Sequence, residues 1–562
     1  MGLNRVLTAL ALPAALAATL LVPQHFPGAV ASAVAAPQRR VIVRADSNDL
    51  SGAELAVRRA GGRVERTLGI IDAVAATVPA DALAALRSDP VVREVTANSA
   101  VTLAGVTGGS YAAQDDTNSL YNIERTVGAR QLWSRGVTGR GVGVALIDSG
   151  VAQVPGIDGS HLVEGPDLTA ESTQPGSAHV DRYGHGTHLA GIIAGRDDAV
   201  TDVTQAADDS TDFLGVAPDA RIVSVKVADG NGVSDVSQVI AGIDWVVQHA
   251  RQPGLNIRVI NLSFGTDSAQ TYILDPLAFA AEQAWKHGIV VVVSAGNTGA
   301  STGRMTDPAI DPYVLAVGAV DTHGSSALAD DTVPSFSSNG DGVRNPDLLA
   351  PGVHVQSLRV PGSYADVTYG STGALADRYF RGSGTSQAAA VISGAVALLL
   401  QRSPWLTPDQ IKYALTGNAR VLPKATVQAQ GAGLLSLADL PSSVPSVRQY
   451  FPPSRGVGSL DAARGSARLV GNTENGSITL SGEQDVMGQA VDTRQLAQQE
   501  ALGTSWTGGN WNGRAWASSS WASSSWASSS WASSSWASSS WASSSWASSS
   551  WASSSWAATT WS

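Results

Sequence analysis

Four residues, each set among glycines and small residues, carry the chemistry open to this chain. Ser386 stands in Gly382-Ser383-Gly384-Thr385-Ser386-Gln387-Ala388-Ala389-Ala390, just before the apolar run Val391 to Leu400. The small residues allow a tight backbone approach, and the run reads as a helix whose first N–H groups have no partner within it. Negative charge developing at such a helix mouth is favoured, which suits a nucleophile. An ordinary N-cap serine fits the same place, so the hydroxyl means little without a base and an orienting acid. His185 is the candidate base, in Tyr183-Gly184-His185-Gly186-Thr187-His188 at the start of a helical pattern. Its spacing from His188 hints at zinc, but no Glu lies between them and the chain has no cysteine. His188, one turn on, is expected to pack or to face solvent. Asp148 closes a buried strand pattern in Leu146-Ile147-Asp148-Ser149-Gly150. A carboxylate there is costly unless hydrogen-bonded; a histidine N–H would satisfy it, and the carboxylate would fix the ring tautomer in return. Alone, Asp148 reads equally well as a turn residue. Asn297, in Val293-Ser294-Ala295-Gly296-Asn297-Thr298-Gly299, either braces a turn or aims an N–H at an oxyanion.

The chain order Asp148, His185, Asn297, Ser386 is more specific than any one of these. An α/β-hydrolase runs serine, acid, histidine with its serine in Gly-x-Ser-x-Gly, and Gly384-Thr385-Ser386-Gln387-Ala388 is not that elbow. Chymotrypsin-like enzymes run histidine, aspartate, serine, whereas aspartate, histidine, serine is the order in subtilisin. The segments Ala145-Leu146-Ile147-Asp148-Ser149-Gly150-Val151, Gly184-His185-Gly186-Thr187-His188, Ser294-Ala295-Gly296-Asn297 and Gly384-Thr385-Ser386 carry the resemblance. With them the chain resembles the subtilisin-like serine proteases, the subtilases.

That resemblance implies Ser386 as nucleophile, His185 as general base and then acid, and Asp148 as its orienting partner. Asn297 and the Ser386 backbone N–H would form the oxyanion hole. Substrate strands would pair along Ser263-Phe264-Gly265 and near Gly230 and Gly232, with Ser294-Ala295-Gly296 as the wall of the S1 pocket. Asp307-Pro308 falls where the family often has a cis proline. No cofactor is implied for the chemistry, structural calcium is possible, and protein or peptide substrates and a monomer are expected. Where the family usually has Met after the serine, and Pro beyond it, this chain has Gln387 and Ala390. Neither position carries a proton transfer. Without a thioether beside the nucleophile, the enzyme is expected to tolerate peroxide.

The elements that must position these residues follow from periodicity. Apolar runs at Val142 to Ile147, Ile222 to Val227, Val259 to Phe264, Ile289 to Val293 and Val314 to Val320 read as strands covered on both faces. Helical patterns at Gly186 to Ala194, Val236 to His249, Pro276 to His287 and Ser386 to Gln401 lie between or after them. This alternation predicts an α/β domain over residues 106–440, with a mostly parallel sheet and its site at the carboxyl ends of strands. Two polar inserts, residues 155–181 and 197–212, are expected as loops. The second carries Asp197, Asp198, Asp202, Asp208, Asp209 and Asp212, without the fixed ligand spacing of a calcium loop.

Both ends of the chain differ in character. Arg5, the apolar stretch Val6 to Val22 and the small residues Ala29 to Ala36 read as a signal peptide, residues 1–36, and so as export. A retained membrane anchor is the alternative, for which the run is short and broken by Pro13. Residues 37–105 read as strand, helix, strand, strand, helix, strand, the ferredoxin-like order. In light of the resemblance, this unit looks like the family's propeptide, an intramolecular chaperone and inhibitor, cut between about Asn98 and Asp116. Residues 441–505 read as a low-hydrophobicity linker or small accessory segment, and residues 506–562 as a disordered tail built on Trp-Ala-Ser-Ser-Ser. A five-residue period gives no single buried face, so the tryptophans would be sticky rings on a flexible chain, contacting cell-wall glycan or merely spacing. A net charge of −11 argues against a nucleic-acid partner. The leading expectation is a secreted serine endopeptidase made as a self-processed zymogen. The alternative is a catalytically weak scaffold that binds cell wall or polymer through its tail.

Overall fold

The computed structural model describes residues 38–98 and 111–515, apart from 47–48, 70–71, 175, 326, 439, 442 and 474–475. The expected signal peptide, most of the expected propeptide junction and the Trp-Ala-Ser-Ser-Ser repeats lie outside these residues. The chain divides into two compact units, one within residues 1–102 and one within 103–562.

The first unit runs β1 (Gln38–Ala45), α1 (Leu50–Arg59), β2 (Arg63–Leu68), β3 (Ala73–Pro79), α2 (Leu83–Arg87) and β4 (Val92–Ala97). Its strands form one antiparallel sheet in the order β2-β3-β1-β4, which is the ferredoxin-like arrangement. Val41 and Val43 on β1 and Val74, Ala76 and Val78 on β3 alternate into a small core against Ala53, Val57 and Leu86 of the helices. The Asp49 carboxylate starts α1 by accepting the Gly52 N–H at 2.8 Å.

The second unit opens with α3 (Leu120–Val127) and α4 (Ala129–Trp133), then β5 (Gly143–Asp148), β6 (Leu162–Asp167), α5 (His185–Ala194) and β7 (Arg221–Lys226). It continues through α6 (Val236–His249), β8 (Ile257–Leu262), α7 (Pro276–Lys286), β9 (Val290–Ser294), β10 (Leu315–Val320), β11 (Leu348–Pro351) and β12 (Val355–Leu358). Then come α8 (Tyr364–Gly373), β13 (Ala374–Leu375), β14 (Tyr379–Gly382), α9 (Thr385–Arg402) and α10 (Pro408–Gly417). Seven strands form a wholly parallel sheet in the order β11-β10-β9-β8-β5-β7-β6. Every residue of β5, β9 and β10 is buried, as strands covered on both faces require.

The chain steps from β5 out to the edge strand β6, then returns through α5 to β7, through α6 to β8 and through α7 to β9, always in the same direction along the sheet. The α6 and α7 helices pack on each other, whereas α5 packs on α9. The α9 helix packs on α5 and beneath β8 to β11. Connections diverge at the carboxyl ends of β5 and β8, and a crevice opens at such a switch point.

Two expectations about organisation need correction. Residues 155–181 are not only loop, since they contain β6, an edge strand with Gly165 and Pro166 in it. Edge strands tolerate such residues, and so lack the apolar run that marks the inner strands. Residues 441–505, expected as a linker or a small accessory segment, contain packed elements, and the described chain continues in short strands to 515 where a disordered tail was expected from 506. After α11 (Val427–Gln430), residues 452–515 supply α12 (Leu460–Ala463), β15 (Val470–Thr473), β16 (Gly476–Thr479), α13 (Thr493–Leu502) and the short strands β17 (Trp506–Thr507), β18 (Asn510–Trp511) and β19 (Arg514–Ala515). Leu460, Leu469, Leu480, Val486, Val491, Leu496 and Trp511 join the main core. The segment looks polar because its anchors are polar. Fully buried Arg464 reaches the α6 cap residue Asp235 at 2.7 Å, and Trp511 Nε1 donates to Asp244 Oδ2 on α6 at 2.7 Å.

Among the described residues, no helix is long and apolar enough to cross a membrane.

Candidate active site

Asp148 is the last residue of β5, at the carboxyl edge of the sheet, and is fully buried. Its two oxygens lie 2.9 and 3.0 Å from His185 Nδ1. The Ser149 N–H donates to Oδ1 at 2.8 Å, holding the carboxylate toward the ring. A carboxylate only accepts, so the ring proton sits on Nδ1 and Nε2 is left as the basic end. His185 opens α5 behind Gly184, whose φ of 99° is one that side chains rarely adopt. A Cβ on Gly186 would lie 2.1 Å from the Gly150 carbonyl, so the glycines flanking His185 are what let α5 start against the end of β5.

A buried carboxylate that the sequence reading did not single out holds this corner together. Asp181 accepts from Ser149 Oγ at 2.9 Å, Gly184 N at 2.7 Å, Thr187 N at 2.8 Å and Thr187 Oγ1 at 2.7 Å. Burial pushes its pKa up against those donors. Beside it, buried Lys226 on β7 donates to the Ser149 and Val180 carbonyls and to Glu171 Oε2 at 2.8 Å. No motif marks Asp181, which lay in the expected polar insert. His188 is buried and faces the Val355 and Phe380 carbonyls at 3.2 Å, and burial pushes its pKa down to about 3. It packs, as one of its two expected placements had it.

Ser386 is the second residue of α9 and nearly buried. It is not the N-cap. Gly384 occupies that position, and the Thr385 N–H is capped from another element by Asn297 Oδ1 at 2.9 Å. Thr385 Oγ1 also donates to Asn297 Oδ1, at 3.0 Å, and accepts the Gly296 N–H at 3.2 Å. Two hydrogens on one atom of the amide identify it as the oxygen, so Nδ2 is the donor end. The helix starts of α5 and α9 both lie at the carboxyl edge of the sheet, and the two helices pack on each other. Asp148, His185, Asn297 and Ser386 thus come to one edge from four chain segments. Gln387, next to Ser386, is fully buried, and neither polar atom of its amide has a hydrogen-bond partner.

Ser263, Phe264 and Gly265 follow β8, and Ser294, Ala295 and Gly296 close β9, its neighbour in the sheet. Between the two segments sits Thr306. A Cβ on Gly265 would lie 2.4 Å from Thr306 Oγ1, and one on Gly296 would lie 2.8 Å from its Cγ2. The Thr306 N–H donates to the Ala295 carbonyl at 3.1 Å, and Asp307 exchanges both backbone hydrogen bonds with Thr266 at 2.9 Å. The Asp307-Pro308 peptide is cis. Gly230 and Gly232 lie after β7, where the Gly230 N–H is held by Glu171 Oε1 at 2.9 Å. Gly230 borders a groove of about 790 Å³ that also touches Arg182, Asp229 and Tyr364. Burial pushes Asp229 up to about 6. The opposite rim is α8, whose Tyr364 stacks on Tyr183 at 5.5 Å and whose start bonds to the carbonyls of Arg182 and Tyr183.

The acidic insert is spent on local structure. Asp197 pairs with Arg378 and caps Phe213, while Asp202 and Asp209 each bind the N–H and hydroxyl of a threonine two residues on. Among the described residues, no group of three or more histidines and carboxylates is placed to hold a metal ion.

Residues 139–433 match the profile of the subtilase family, Peptidase S8. Serine protease AprX of Bacillus subtilis is 36% identical over 306 residues, covering 53% of this chain and 66% of that protein. Subtilisin E of the same organism is 33% identical over 378 residues, covering 66% of this chain and 81% of that protein. A crystal structure of a cold adapted subtilisin-like serine proteinase aligns over 54% of this chain and 91% of its own, at 30% identity and a TM-score of 0.40. The chain belongs to the subtilase family and is, by that membership, a serine-type endopeptidase.

Proposed function

We propose that the chain is a secreted endopeptidase that cuts peptide bonds through an acyl-enzyme on Ser386 and is released from its own propeptide. The observation that carries this reading is the buried Asp148–His185 pair, with both carboxylate oxygens within 3.0 Å of Nδ1 and Nε2 left basic. Ser386 Oγ attacks the scissile carbonyl carbon as its proton passes to His185 Nε2, and Asp148 stabilises the resulting imidazolium. The negative charge on the carbonyl oxygen is met by the Ser386 N–H and Asn297 Nδ2, the free start of a helix and a side chain fixed by Thr385. The imidazolium then protonates the departing amine nitrogen as the C–N bond breaks. Water repeats the sequence, giving its proton to His185 and its oxygen to the acyl carbon, and His185 returns the proton to Ser386 Oγ as the bond from Oγ to the acyl carbon breaks. The substrate backbone lies along Ser263-Phe264-Gly265 and near Gly230 and Gly232, and the P1 side chain enters beside Ser294-Ala295-Gly296 above Thr306.

Export rests on the N-terminal apolar stretch, and the propeptide role on the ferredoxin-like topology of the first unit. The test is N-terminal sequencing of the secreted protein from wild type and Ser386→Ala, together with casein hydrolysis by each. The reading predicts a processed end within residues 98–116 and casein cleavage in wild type only. The same processed end in both would remove self-cleavage, and casein cleavage by both would remove Ser386.

A further inference from the structure

Behind the floor of the cleft, two carboxyl groups face each other with unequal support. Asp275, the cap of α7, accepts the Leu277 N–H at 2.9 Å, Ser268 Oγ at 2.8 Å and Gln270 Nε2 at 3.1 Å. Asp307 is equally buried, yet among the described residues no N–H or O–H donates to either of its oxygens. The two carboxyls are within hydrogen-bonding reach of each other. A carboxylate with three donors is content to be ionised, whereas one with none, beside a like charge, keeps its proton. The arrangement is therefore a carboxylic acid on Asp307 donating to a carboxylate on Asp275. The other charged groups near Asp307 are Asp311 and Arg304, and Arg304 is tied to the Ser268 carbonyl. Beyond Asp311 lies Glu282, which is paired with Lys286. Burial, then Asp275 and Asp311, hold Asp307 well above the ordinary carboxylate range against the opposing Arg304.

The place of this bond gives it a consequence. Asp307 follows Thr306, which fills the space between the two walls, and its backbone pairs with Thr266, which follows Gly265. Asp275, at the head of α7, is tied to the Thr266 segment through Ser268, whose hydroxyl donates to Asp275 and whose N–H donates to Thr266 Oγ1. We infer that Asp307 is a positioning residue for substrate binding, clamping Thr306 between the cleft walls through the proton it shares with Asp275. When that proton leaves to solvent, the clamp becomes two like charges pressed together, and the floor shifts away from the wall at Ser263 to Gly265. The inference rests on the proposed reading of these walls as the substrate cleft. Because neither carboxyl touches the reacting atoms, the loss appears in KM and leaves kcat largely in place.

The test is the pH dependence of kcat and KM for a blocked peptide without titrating groups, using the full chain as wild type, Asp307→Asn, Asp275→Asn and Asp307→Ala. In wild type KM rises severalfold on the alkaline side while kcat holds. Asp307→Asn keeps a donor toward the Asp275 carboxylate without a titrating proton, and Asp275→Asn removes the second charge that an ionised Asp307 would face, so in both KM stays flat with pH. Asp307→Ala has the raised KM at every pH. Using two amide variants keeps the test decisive if one fails to fold, which thermal melting checks. A flat KM in wild type that cleaves the peptide overturns the inference alone, as does an alkaline rise retained in a folded amide variant. Suppression of that rise by added calcium would put a cation in place of the proton and overturn it too. Absence of cleavage by wild type at any pH overturns both the inference and the reading of the site.

Discussion

Gln387 is the residue whose situation is most at odds with its chemistry. A buried amide that makes no hydrogen bond forfeits the water it left, at a cost of roughly 1–3 kcal/mol per unpaired group. Its side chain lies against Gly382 and the His188 ring, a pocket that an unbranched apolar chain fills without that cost. Gln387→Met is accordingly expected to stabilise the second unit by about 1–3 kcal/mol in denaturant unfolding. The same change places a thioether beside Ser386, and the variant should lose activity in dilute peroxide far faster than wild type. At this scale Asp148, His185, Asn297 and Ser386 were legible because each sits in a frame of glycines and small residues. Asp181, Lys226, Thr306 and Asp307 were not. Each draws its meaning from partners on other segments, and nothing beside them in the chain marks that.

At the scale of elements, the site is two helix starts brought to the carboxyl ends of β5 and β9. Thr385 is the joint, because it ties α9 to the Asn297 amide through its N–H and its hydroxyl. Removing the hydroxyl in Thr385→Ala leaves the amide one donor and frees it to turn. The expected loss in kcat is roughly 10- to 100-fold, below the 10²–10³ that deleting an oxyanion donor costs, with KM much less affected. A KM effect equal to the kcat effect would mean that Thr385 shapes the cleft and not the oxyanion site. The long helices and inner strands were readable to within one or two residues, since apolar periodicity alone defines them. The strands β6, β11, β12 and β14 escaped that reading. They are short or at an edge, and β6 and β11 contain proline, so their pairing is decided by neighbours.

For the molecule as a whole, the C-terminal segment changes what the second unit is. Composition left it open as a linker or a small accessory segment; Trp506, Trp511 and Arg464 bond to α6 and its cap, so it belongs to the core. It also brings Glu500 of α13 against Asp244 of α6, both buried, with Trp511 and Ser505 as the partners of Asp244. Burial pushes both carboxyls up, and the folded state binds protons that the unfolded chain has released. Stability from this pair is therefore complete at or below the ordinary carboxylate range and declines as pH rises through the folded values. The melting temperature should fall across that range, and Asp244→Asn should flatten the fall; an unchanged slope in the variant would show that the pair does not set it. The central claim concerns the hydroxyl at the start of α9. Intact-mass measurement after treatment with a fluorophosphonate, alongside residual casein hydrolysis, tests it most directly. One adduct per chain, mapped to Ser386 and formed in step with loss of activity, is the predicted result. Casein hydrolysis that persists in fully labelled protein, or in Ser386→Ala, would contradict it.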